Sequence, residues 1–99
     1  VVEDAFFYDE DTKLFCATKN GTFTYDIRKQ EFISKNTLQN SWLTVCKTLP
    51  GEKFAIIGGK YNPLRIIKIS DHSVVDVITS EQIRATSLFL DKNTLYAGY

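Results

Sequence analysis

The stretch Ala5-Phe6-Phe7-Tyr8, Asp9-Glu10-Asp11-Thr12, Lys13-Leu14-Phe15-Cys16-Ala17 decides the reading of this chain, because its order returns twice. An apolar run, a short polar turn and a second apolar run also make up Val45-Cys46-Lys47-Thr48-Leu49, Pro50-Gly51-Glu52, Lys53-Phe54-Ala55-Ile56-Ile57. The order recurs in Ser87-Leu88-Phe89-Leu90, Asp91-Lys92-Asn93, Thr94-Leu95-Tyr96-Ala97-Gly98. Anchored on Leu14, Phe54 and Leu95, the spacings are 40 and then 41 residues. Short apolar runs bounded by turn residues predict strands, and a fixed period predicts a repeated supersecondary unit.

Two of the units continue alike. After Ala17 a Lys19-Asn20-Gly21 turn leads into Thr22-Phe23-Thr24-Tyr25-Asp26-Ile27, which alternates polar and apolar with the period of a strand. Arg28-Lys29-Gln30 is a tight polar turn, and Glu31 to Lys35 reads as a fourth strand. In the second unit Lys60 to Leu64 turns, Arg65 to Ser70 is a strand, Asp71-His72-Ser73 turns, and Val74 to Thr79 is a strand. Pro63 is expected between runs, where its missing N–H costs no ladder bond. The longest connection, Asn36 to Ser41, falls where the chain crosses between units. Thr79-Ser80-Glu81-Gln82 could cap a short helix, but the residues after it lose the apolar stripe, so a second crossing is expected there.

A period near 40 residues is that of one four-stranded blade of a β-propeller, about 40–45 residues. The expected fold is therefore all-β, a β-propeller fragment of about two and a half four-stranded antiparallel blades. Its approximate repeats are 1–40, 41–82 and an incomplete 83–99. The rival is a β-sandwich, which suits the strand number but not the repeat. The chain resembles WD40 proteins over essentially its whole length. Asp11-Thr12-Lys13-Leu14-Phe15 is similar to the family's Asp-Gly-Lys turn and second strand, and Tyr25-Asp26 stands where the Trp-Asp pair usually ends the third. The Gly-His pair is absent, and Ile69-Ser70 replaces Trp-Asp in the second unit. A second resemblance, to the phosphoinositide-binding propellers called PROPPINs, rests on Phe54-Ala55-Ile56-Ile57-Gly58-Gly59-Lys60-Tyr61-Asn62-Pro63. Their lipid-binding Phe-Arg-Arg-Gly motif is absent, so no lipid-binding residue carries over.

Composition narrows the function classes. The chain has 99 residues, 43% hydrophobic and 13% aromatic, with twelve basic and twelve acidic side chains. A nucleic-acid binder usually needs a basic excess, so no nucleic-acid partner is expected. No apolar run approaches the roughly 20 residues of a membrane span. The opening Val1-Val2-Glu3-Asp4 lacks the features of a signal peptide, and the chain reads as a segment of a longer parent. Cys16 and Cys46 lie inside strand-like runs and are expected as free thiols packed as small hydrophobes. A disulfide requires their strands to be neighbours with suitable geometry. An intracellular setting, cytoplasm or nucleus, is expected, and there Asn20-Gly21-Thr22 has no use as a glycosylation acceptor.

Few residues of the chain suit catalysis or ligand chemistry. A triad needs a histidine, and the only one, His72, is expected exposed in a turn. One histidine and two distant cysteines make no zinc site. Gly58-Gly59-Lys60 fails the phosphate-loop pattern on both sides, at Phe54 and Tyr61. Asp9, Glu10 and Asp11 read as a solvated hairpin tip rather than a cation loop. No catalytic, cofactor or metal residues are assigned, and a non-catalytic protein-interaction scaffold within a multiprotein complex is expected. The remaining blades would come from the parent chain or other chains. A phosphoinositide membrane surface is the alternative partner. In the WD40 arrangement the crossing loop and the loop after each second strand share one face, which gathers Lys19, Asn20, Trp42, Lys60, Tyr61, Asn62 and Arg84. Of these, Lys19, Trp42, Lys60, Tyr61 and Arg84 are the candidate contact residues, since aromatic and Arg side chains are enriched at hot spots. The competing reading packs Trp42 between neighbouring units.

Overall fold

In the computed structural model, residues 2–37, 42–60, 62–78, 87–91 and 94–98 are described. They form ten strands and no helix, so the protein is all-β with antiparallel sheets. The first sheet comprises β1 (Val2–Tyr8), β2 (Lys13–Thr18), β3 (Gly21–Asp26) and β4 (Glu31–Thr37), each beside its neighbour in sequence. The second repeats that order with β5 (Leu43–Thr48), β6 (Phe54–Gly59), β7 (Asn62–Lys68) and β8 (Val74–Val77). A two-stranded sheet follows, β9 (Ser87–Asp91) with β10 (Thr94–Gly98).

The turns follow from their residues. Gly21 opens β3 at φ 133° and Gly51 turns between β5 and β6 at φ 91°, both in territory that glycine enters without steric cost. Asp26 closes β3, its carboxylate accepting the Lys29 N–H at 3.0 Å. The acidic tip behaves differently. Asp9, Glu10 and Asp11 all take left-handed backbone, at 52°, 54° and 63°. The Asp9 carbonyl there accepts the Thr12 N–H at 3.1 Å, and its carboxylate pairs with Lys13 at 2.7 Å.

Two apolar layers hold the sheets face to face. Between the first and second lie Tyr8, Phe15 and Ala17 on one side and Leu43, Cys46, Ala55, Ile57, Ile67 and Ile69 on the other. On the far face of the second sheet, Val45, Ile56 and Leu64 pack with Leu88 and Leu95 of the β9–β10 hairpin. The second sheet is thus covered on both faces.

Two details differ from the sequence expectation. Pro63 lies inside β7, which begins at Asn62 rather than after Leu64. The β6–β7 register shifts between Ile57 and Gly59, and Pro63 sits at that irregularity. A bulge is where a strand tolerates a residue without an N–H. The repeat anchor also moves. Leu14 pairs with Phe7 and Leu95 with Leu90, whereas the matching pair in the second sheet is Ala55 with Thr48. The middle anchor is therefore Ala55, not Phe54: Thr48 and Ala55 lie as far apart in sequence as Phe7 and Leu14 do. A one-residue slip exchanges the two faces of a strand, and Phe54 accordingly faces solvent.

Candidate binding rim

Antiparallel strands deliver alternate connections to opposite ends of a sheet, so the β2–β3 turn, the start of β5 and the β6–β7 turn meet at one rim. Lys19, Trp42 and Lys60 come from these three places. The Trp42 N–H donates to the Lys19 carbonyl at 2.9 Å, and the Lys60 N–H donates to the Trp42 carbonyl at 3.0 Å. The side chains repeat the association. The Lys19 ammonium lies 3.8 Å from the centre of the indole ring and the Lys60 ammonium 5.3 Å from it. Both are within cation–π range, worth about 0.5–1 kcal/mol at an exposed site. Trp42 remains 40% exposed. It therefore presents an aromatic surface flanked by positive charge, and is not packed away between the sheets.

Backbone geometry fixes this placement. Trp42 takes φ 49°, unusual for a bulky side chain, and Gly59 lets the chain pass close beside it. A Cβ at Gly59 would fall 2.6 Å from the Leu43 Cα and against the Trp42 carbonyl. Gly59→Ala is expected to cost about 1–3 kcal/mol through overpacking. A lowered melting temperature with an altered Trp42 emission spectrum would register it; an unchanged melt would mean that the contact relaxes freely. Asn20 is exposed on the same β2–β3 turn. Asn62 opens β7. Tyr61 and Arg84 lie outside the described residues.

His72 is not the exposed turn residue expected from the sequence. It is fully buried. The β7–β8 turn carries it, at φ 62°, into the interface with the first sheet. There the ring stacks on Phe15 with centroids 5.0 Å apart. Its Nδ1 is 2.7 Å from the Thr22 hydroxyl and its Nε2 2.8 Å from the Thr24 hydroxyl. Residues two apart on a strand stand about 7 Å apart on one face, a span that an imidazole bridges with one hydrogen bond at each nitrogen. In the neutral ring one nitrogen donates and the other accepts. Burial pushes the pKa down to about 4, against a smaller upward pull from Asp71. The Asn36 side-chain amide donates to the His72 carbonyl at 2.9 Å.

The thiols of Cys16 and Cys46 are buried and unbridged. Burial pushes both upward, and Asp4 adds to the effect at Cys46, so neither is an activated nucleophile. Among the described residues no cluster of three or more His, Cys, Asp or Glu side chains could hold a metal ion. Among them too, no helix is long and apolar enough to cross a membrane. No protein-family model matches the chain, and no curated protein matches it.

Proposed function

We propose that this chain is a non-catalytic interaction scaffold, part of a WD40-like propeller, whose Lys19–Trp42–Lys60 rim holds an acidic segment of a partner protein. The observation that carries this reading is the exposed indole with an ammonium group at 3.8 Å and another at 5.3 Å. An aromatic surface offers contact area at low entropic cost, and two cations select carboxylates. Successive four-stranded sheets stacked face to face, each in sequential strand order, support the propeller part of the reading.

Trp42 is the only tryptophan, so its fluorescence reports on the rim alone. Titration with Glu- and Asp-rich peptides should change its emission saturably and weaken with added salt, while Lys-rich peptides should have no effect. Trp42→Ala, followed by a labelled peptide, should weaken binding by about 1–4 kcal/mol. Glu10→Gln, on an exposed turn at the opposite end of the first sheet, should change it by less than about 1 kcal/mol. Emission that responds to phosphoinositide vesicles and to no acidic peptide would replace the protein partner with a lipid surface. If Trp42→Ala lowers the melting temperature and leaves affinity unchanged, the rim is a structural latch and the proposal fails.

A further inference from the structure

The second sheet is covered on one face by the first sheet and on the other by the β9–β10 hairpin, so what it offers beyond them is its edge. β8 forms one side of that sheet, and among the described residues no strand pairs with its outer edge. Sheets stacked on either face do not reach such an edge, however many there are. An edge strand carries a row of unpaired N–H and C=O groups and is a template for another strand.

β8 has the composition of a good template. Val74, Val75, Val77 and the following Ile78 are β-branched and between 41% and 50% exposed. Charged side chains blunt such edges, and β4, the outer strand of the first sheet, carries both Glu31 and Lys35. In β8 Asp76 is the one charged residue, and its carboxylate does more than repel. The Ile78 N–H donates inward, to the Leu64 carbonyl at 2.8 Å. Peptide groups alternate in direction along a strand, so the Val77 N–H points off the sheet. The Asp76 carboxylate folds back and accepts it at 2.8 Å. The same device recurs on β1, an edge strand of the first sheet, where Asp4 accepts the Ala5 N–H at 2.9 Å.

We infer that Asp76 guards the β8 edge against pairing with another strand. Its carboxylate takes up the Val77 N–H, the donor that an incoming strand would need. It also places negative charge where the carbonyl oxygens of that strand would approach. Without it the edge presents an apolar β-branched run with an unsatisfied donor. In a solution of this chain the strand always at hand is the same edge of a second copy. This inference is independent of the rim and of its partner.

Asp76→Ala tests it, compared with the unaltered chain by sedimentation velocity and hydrogen exchange. Asp76→Ala should associate at least about tenfold more tightly, and its Val77 amide should exchange more slowly as concentration rises. Adding Val77→Pro removes the outward donor without cost to the β7 ladder, and should return association to the level of the unaltered chain. Far-UV circular dichroism checks that the proline variant keeps its strands. Adding Val75→Lys to Asp76→Ala instead restores a charge to the edge and should act in the same direction. Equal association of Asp76→Ala and the unaltered chain overturns the proposal. So does extra association that survives both Val77→Pro and Val75→Lys, since it would run through an apolar face and not through the edge.

Discussion

Phe15→Ala is expected to destabilise the protein by about 4 kcal/mol, the range for emptying a buried aromatic site. Phe15 is completely buried in the layer between the two four-stranded sheets. Phe6 stacks on it at 4.9 Å and His72 at 5.0 Å, so the ring is held between two flat neighbours. Removing it loses the transfer energy of the ring and leaves a cavity that strands tied into two ladders cannot close. Domains of this kind have about 5–15 kcal/mol of stability in all, so the variant should lose much of its denaturant resistance. Urea unfolding followed by circular dichroism gives the value. A loss below about 1 kcal/mol would mean that the sheets reseat without the ring.

Acid should weaken the protein through His72 before the carboxylates contribute much. Above pH 6.5 the ring is neutral in both the folded and the unfolded chain, and its burial carries no pH-dependent penalty. Below 6.5 the unfolded chain takes up a proton that the folded chain refuses until about pH 4. Stability then falls by about 1.4 kcal/mol per pH unit through that window, about 3 kcal/mol in total. His72 is the only histidine, so the slope between pH 6.5 and 5 belongs chiefly to it. His72→Gln should start less stable at pH 7 and show a much flatter profile over the same window. An equal slope in both proteins would place the titration elsewhere. Phe15→Ala should also shrink the effect, because water admitted beside the imidazole lets it charge without unfolding the chain.

Strands were legible in the sequence because their information is local. Alternation in Thr22 to Asp26 and the Asn20-Gly21 turn locate β3 with its neighbours, and the strands of the three apolar-turn-apolar segments fall within a few residues of the observed ends. The rim was legible for a related reason: once strands alternate in direction, Lys19, Trp42 and Lys60 must share an end of the stack. What the sequence hides is the register between units. A period of 40 or 41 residues suits either neighbour, so Phe54 and Ala55 compete for one anchor position until the pairing of Ala55 with Thr48 decides. His72 was hidden more deeply. Asp71-His72-Ser73 has the composition of a solvated turn, and the hydroxyls that receive its ring lie 50 and 48 residues away. The one available signal was the pair Thr22 and Thr24, two polar residues on the strand face that points at the second sheet.

The bridge between those threonines also limits how the two sheets can slide. Ile, Leu and Ala surfaces attract without direction, and several offsets would bury similar apolar area. Displacing the second sheet along the first by one same-face step, about 7 Å, would take one nitrogen of the imidazole off its threonine while the other met the neighbouring one. A ring nitrogen left buried without a partner costs about 1–3 kcal/mol. The Asn36 amide, bonded to the His72 carbonyl, would lose its contact in the same movement. A single polar residue thereby acts as an index pin between two greasy plates, and sheets brought together out of alignment during folding have a reason to separate and try again.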